Sequence, residues 1–306
     1  MKLTSPQKLP DLNLWLTKQS LPKSSLKNYS LLLLKEDQTQ RDELIPQLKK
    51  VAEDSVCDFK NLMIEVKGAN LDPLDPPDVK EKKSEFIQKL DQLLTVFDNR
   101  TLQGYFGETL TGLIVLGFSP FEISGWEIPV FLYRHHIHAY NTFEKWQQSG
   151  KLPKAMVGRA GEDNIAFLKD ANDIITTELR CEAKCTTSHD SNLINEAHNK
   201  FDDSTNVSAE ITRIIMILRD YRSDETAEKW IKALQIYPWQ PNTKTHHFIC
   251  YVCQDTPQTP KDRISWIYPD KLNENYKSLR PLQAVEVHLS DVAQLIRAIY
   301  NPKARP

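Results

Sequence analysis

Apolar positions along this chain keep two rhythms, and the change between them falls near residue 123. Before it, they recur at the three-to-four spacing of a helix face. Residues 41–66 predict one helix. The run Leu71-Asp72-Pro73-Leu74-Asp75-Pro76-Pro77-Asp78 ends it and starts the next. Asp75 can cap, Pro76 suits a first turn whose N–H groups have no partner, and Asp78 complements the helix dipole. That helix carries Phe86, Leu90, Leu93, Leu94 and Phe97 on one stripe. A further helix over about 102–116 presents Leu102, Phe106, Leu110, Leu113 and Ile114, with Gly104, Tyr105, Glu108, Thr111 and Gly112 on its other side. Interior glycines cost a helix about 1 kcal/mol each relative to alanine, so small residues around one acid point to a close neighbour there. Residues 1–38 are polar and interrupted by Pro6, Pro10 and Pro22; within them, 31–34 fits a strand and a helical turn equally.

Past residue 123 the pattern turns strand-like. Strands are expected at 128–133, at 164–168 after a turn at 158–161, and at 174–185 after a turn at 170–173. Helices follow at 191–202, 207–221 and 224–236, the middle one with Val207, Ile211, Ile214, Ile215 and Leu218 on one stripe. Short strands at 248–252 and 285–289 precede a last helix at 290–300. This order predicts an α/β chain with a sheet covered by helices on both sides. It divides into a mainly helical N-terminal region, 1–98, and a domain over 99–306.

Composition changes the picture little. The 306 residues are 40% hydrophobic and 26% charged, and 39 basic against 41 acidic side chains leave a formal charge of −2. That balance speaks against tight, autonomous binding to nucleic acid but leaves room for a local basic groove. The first sixteen residues lack a signal-peptide pattern, and the longest apolar stretch, 113–118, is far too short to span a bilayer. Five dispersed cysteines then read as reduced thiols, so a cytoplasmic protein without a membrane partner is expected.

The chemistry concentrates in Gly161-Glu162-Asp163-Asn164-Ile165 and Leu179-Arg180-Cys181-Glu182-Ala183-Lys184-Cys185. Side chains alternate along a strand, so Glu182 and Lys184 share one face while Cys181, Ala183 and Cys185 take the other. Buried charge is costly unless paired or bound to a metal. Asp163 opens the preceding strand, and a short turn folds it back towards Glu182. Two such carboxylates suit Mg²⁺, a hard ion that prefers oxygen, and Lys184 adds a compact positive charge.

This set resembles the D…(D/E)xK signature of the PD-(D/E)xK, or restriction-endonuclease-like, nucleases. The resemblance covers roughly residues 100–220; no proline precedes Asp163, which is one departure. It implies a restriction-endonuclease-like core with a mixed central sheet flanked by helices. It further implies that Asp163, Glu182 and the Ala183 carbonyl hold Mg²⁺ or Mn²⁺, that Lys184 assists the attacking water, and that Glu108 adds an acid from a helix ahead of the sheet. The implied activity is hydrolysis of DNA phosphodiesters. The layout is also similar to nuclease subunits of bacterial anti-phage systems, among them Hachiman-type nucleases that pair with a helicase. That likeness implies a gating partner, a helicase or another defence subunit, and a docking or regulatory role for 1–98.

Two other readings compete. A nuclease-like fold can serve as a binding module without strong catalysis. Alternatively, His135, His136 and His138 could centre a different metallohydrolase. Cys181, Cys185, Cys250 and Cys253 offer a four-thiolate zinc site on paper, although Cys250 and Cys253 fall on opposite faces of a strand. Asn192, Asn195, His198, Lys200, Arg213, Arg219 and Arg222 are candidate phosphate contacts, and Trp126, Trp146, Trp230, Trp239 and Trp266 candidate stacking partners. No Gly-rich phosphate loop, Gly-x-Ser-x-Gly elbow or HExxH motif is present.

Overall fold

The computed structural model describes residues 9–22, 24–66, 68–94, 99–130, 162–201, 207–219, 224–240, 242–257 and 263–300. The expected strand over 128–133 falls partly, and His135, His136, His138 and Trp146 entirely, outside these residues. The described strands are β1 (Leu16–Gln19), β2 (Tyr29–Glu36), β3 (Asn164–Lys169), β4 (Ile175–Thr186), β5 (Lys244–Cys253) and β6 (Leu282–His288). The α-helices are α1 (Leu12–Trp15), α2 (Arg41–Val66), α3 (Pro77–Leu94), α4 (Asn99–Phe118), α5 (Ser191–Lys200), α6 (Val207–Arg219), α7 (Glu225–Ile236) and α8 (Val292–Tyr300).

The strands form one mixed sheet in the order β1-β2-β6-β5-β4-β3. The four inner strands run parallel, and an antiparallel strand closes each side. Burial follows from this. Strands with helices on both faces need continuous apolar runs, and β5 supplies one from His247 to Cys253. The β3–β4 hairpin turns where expected, because the Asp170 carboxylate accepts the backbone N–H groups of Asn172 and Ile174, each at 2.9 Å. Asp190 and Asp224 cap α5 and α7 by accepting the N–H two residues on, at 2.8 Å in each case.

One face of the sheet is mainly apolar. Leu34, Val287, Cys250 and Cys181 pack there against α1, α2, α4 and α8. The opposite face carries two separate clusters. Ile165 and Phe167 of β3 pack under α6 and α7, around Trp230. Ile249, Tyr251 and Ala284 pack under α5, around Phe201. Between them run the β4 side chains Glu178, Arg180, Glu182 and Lys184, which belong to neither cluster.

The first hundred residues contain α2 and α3, as the helical spacing predicts, and also the short α1 and the strands β1 and β2, which it does not. Residues 31–34, ambiguous in the sequence, are strand, paired in parallel with β6. Trp15, Leu44 and Leu48 share a core cluster with Phe106 and Ile296. Glu36 fastens the arrangement: its carboxylate accepts Trp15 Nε1 at 2.9 Å, Arg41 Nε at 2.6 Å and Ser290 N at 2.7 Å. No described helix is long and apolar enough to cross a membrane.

Candidate active site on the fourth strand

Strand alternation sorts the key segment as its spacing predicts. Cys181, Ala183 and Cys185 face α4, which comes so close that a methyl group at Gly107 would stand 3.1 Å from the Cys185 Cβ. Glycine at 107 therefore favours this close approach of the helix that carries Glu108. The Glu108 carbonyl accepts Asn164 Nδ2 at 2.8 Å. Its carboxylate lies near the Tyr300 hydroxyl and, after burial, helps to push that phenol upward. Glu108 thus stands next to the start of β3 on the α4 face, whereas Glu182 and Lys184 occupy the α5 face.

Asp163 immediately precedes β3. Its N–H donates to the Cys181 carbonyl at 3.0 Å, and its Oδ2 accepts the Ala183 N–H at 2.7 Å. The carboxylate is thereby seated on the Glu182–Ala183 peptide and is only 5% exposed. Glu182 itself is 3% exposed. Its Oε1 lies 3.2 Å from Lys184 Nζ, and its Oε2 accepts Lys200 Nζ from the last turn of α5. Lys184 also meets Glu196, one helical turn before Lys200, at 3.7 Å. The four charges alternate as Lys200, Glu182, Lys184 and Glu196, tying α5 to β4.

Two of these partners are not evident in the strand pattern. Lys200 stands out in the sequence only as one polar residue on a helix. Glu162 had no signal beyond its place between Gly161 and Asp163, yet it is nearly fully buried. Burial pushes its carboxyl up to about 7; Lys200 and Arg180 oppose the rise, and Glu182 and Glu210 add to it. A carboxylate placed among other carboxylates competes for positive charge.

The remaining candidates separate clearly. His198 is buried and turned inward, its Nδ1 2.7 Å from the Ile194 carbonyl, so it does not reach for phosphate. Arg213 is held by Glu210 at 2.5 Å, while Arg219, Asn192 and Asn195 are exposed. Arg222 lies outside the described residues. Cys181, Cys185, Cys250 and Cys253 are free thiols; Cys250 and Cys253 belong to clusters on opposite faces, and burial pushes them up to about 12 and about 11. Protonated thiols split across a sheet do not make a zinc site. Trp126 and Trp230 are core residues, Trp239 is 84% exposed, and Trp266 is half-buried against His189.

The donor set of Asp163, Glu182 and the Ala183 carbonyl is all oxygen and fits a hard divalent cation. Mg²⁺ commonly takes one or two carboxylates and fills its shell with water. No group of three His, Cys, Asp or Glu side chains converges on a metal position among the described residues. The two lysines on Glu182 hold positive charge where such an ion would bind. Both are about one-quarter exposed, so they can swing out to solvent. No known family model matches the chain, and no curated protein matches its sequence.

Proposed function

We propose that this chain is a metal-dependent phosphodiesterase acting on nucleic acid, a nuclease of the PD-(D/E)xK kind, with Asp163, Glu182 and Lys184 at its centre. The observation that carries this reading is the seating of the Asp163 carboxylate on the Glu182–Ala183 peptide, with Lys184 beside Glu182 on the same face. Asp163, Glu182 and the Ala183 carbonyl would hold Mg²⁺ or Mn²⁺. When bound, the ion supplies charge stabilisation on the phosphodiester and lowers the pKa of a bound water. Lys184, released from Glu182, faces the phosphate as a point charge and steadies the attacking water. Glu108 stands in reserve across the strand, linked to Asp163's neighbour Asn164. DNA is the substrate the resemblance favours. The −2 charge supports a partner that delivers or opens the substrate, such as a helicase or another subunit of an anti-phage complex.

A second reading has its own observation. Both Glu182 oxygens are already neutralised by lysines, as befits a nuclease-like module that binds rather than cuts. One experiment separates the two. The purified chain is incubated with plasmid, linear and single-stranded DNA plus Mg²⁺ or Mn²⁺, beside Glu182→Ala and Lys184→Ala. The nuclease reading expects cutting by the wild type alone. Equal cutting by the variants refutes the site, and no cutting with any metal or partner supports the binding module. Strong cutting by the isolated chain at physiological salt removes the case for gating.

A further inference from the structure

On the α5 face lies a cleft of about 310 Å³ that begins at His189, a few residues past the end of β4. It is lined by α5 on one side and by residues of the 263–274 segment on the other. Tyr251 is the register partner of Lys184 across β4 and β5. Its hydroxyl accepts the Asp190 N–H at 3.0 Å and lies 3.2 Å from His189 Nδ1, leaving the far edge of that imidazole directed elsewhere. His189 stacks flat on Trp266, with ring centroids 3.7 Å apart and planes 7° from parallel. Trp266 is anchored in turn: its Nε1 donates to the Asp255 carbonyl at 2.9 Å, and its N–H to the buried Glu286 at 2.7 Å.

The rest of the lining adds cations, amides and one acid, Glu274. Arg263 lies over the Tyr268 ring, 4.1 Å from its centroid, and is fixed by donating Nε to the Ser265 carbonyl at 2.6 Å. Lys271 is exposed and makes no ion pair among the described residues. Asn195 and Asn273 are hydrogen-bonded to each other at 3.0 Å. Asn195 adjoins Glu196, which touches Lys184, so the cleft and the charged quartet share α5.

Planar rings held rigid, amides at their edge and a cation without a partner are the groups that recognise one unpaired base and its phosphate. The volume is at the lower limit of small-molecule sites, which run from about 300 to 1,000 Å³. It suits a single base. A base inside a duplex has both faces covered and offers nothing to stack on. We propose that this cleft holds an unpaired nucleotide of single-stranded nucleic acid and leads the strand across Lys184. The step from binding to cutting rests on the nuclease reading; the binding does not.

The test uses the full chain with metal chelated, so no cutting enters the readout. Fluorescence anisotropy is recorded with a labelled single-stranded oligonucleotide of about 12 nucleotides and with the matching duplex. Single strands should bind about 10-fold more tightly than duplex. Tyr268→Ala and Trp266→Ala should each weaken single-strand binding about 10-fold, and Lys271→Ala should lower the slope of log affinity against log salt by about one unit. Tyr268 is 53% exposed, so its variant keeps the test valid if loss of Trp266 disturbs folding. Equal affinity for duplex, or a folded Tyr268→Ala chain that binds single strands as the wild type does, overturns the cleft. Cutting in Mg²⁺ with either result leaves the nuclease reading standing alone. Single-strand binding without cutting leaves the cleft standing alone.

Discussion

Two acid–base pairs stand four residues apart on the same face of β4, Glu178 with Arg180 and Glu182 with Lys184, and their surroundings differ. Glu178 is wholly buried. Its Oε1 accepts Arg180 Nε at 2.8 Å and Thr245 Oγ1 at 2.9 Å, and its Oε2 accepts the Tyr237 hydroxyl. Every partner there is short or rigid, and both carboxylate oxygens are taken. Glu182 is just as buried, but its two partners are lysines on four-carbon stems that reach solvent. A planar guanidinium locked between β4 and β5 is a structural tie. On the nuclease reading proposed above, a pair of ammonium groups on flexible stems is a place-holder. The same spacing of acid, residue and base therefore carries two roles, decided by what packs against each end of the strand.

The comparison breaks first at activity. Glu182→Ala should lower phosphodiester cleavage about 10³-fold, roughly 4 kcal/mol of transition-state stabilisation, and shift the melting midpoint by only a few degrees. Plasmid cleavage and circular dichroism check both halves, and cleavage that survives the substitution would end the catalytic claim. Glu178→Ala should do the reverse. Leaving Arg180 buried without its carboxylate costs about 3–5 kcal/mol of folding stability, read from urea unfolding. Glu178→Gln, which still accepts from Tyr237 and Thr245, should cost less, and the folded fraction of either variant should cut within a few-fold of the wild type.

Glu162 sharpens the contrast through pH. Its folded carboxyl sits at about 7, above the ordinary value of 4.5. Its contribution to stability is thus complete below about 4.5 and lost as pH rises through about 7, a difference of roughly 3 kcal/mol at most. Glu162→Gln should flatten that slope and raise stability at pH 8, as urea midpoints across pH 4–9 will report. The smallest effect belongs to Asn164→Ala. Losing its bond to the Glu108 carbonyl should cost about 1 kcal/mol, and a larger drop in cleavage than in stability would place Glu108 in the chemistry.

Much of this was legible in the chain, for physical reasons that also explain the gaps. Strand alternation put Glu182 and Lys184 on one face, and the turn at 170–173 folded β3 back on β4 so that Asp163 returned to them, because both signals act over a few residues. Residues 31–34 were undecidable locally, since their strand state depends on pairing with a segment some 250 residues on, Tyr29 against Leu282. Lys200 was a candidate phosphate contact, but its pairing with Glu182 and the burial of Glu162 escaped for the same reason: one needs α5 docked on β4, and the other depends on what surrounds it. His198 shares α5 with Lys200 but points into the core, a distinction of helix phase that a polar residue count does not reveal.

The position of β6 bears on how the molecule comes into being. It is the last of the described strands in sequence and lies in the middle of the sheet, between β2 and β5. Until residues 282–288 leave the ribosome, the β1–β2 hairpin and the strands that carry Glu182 have nothing to join them. Pairings this distant in sequence form slowly and leave open edges while they wait. Joining of the sheet around Glu182 therefore waits for residues 282–288. A chain that stops short of these residues would lack a joined sheet.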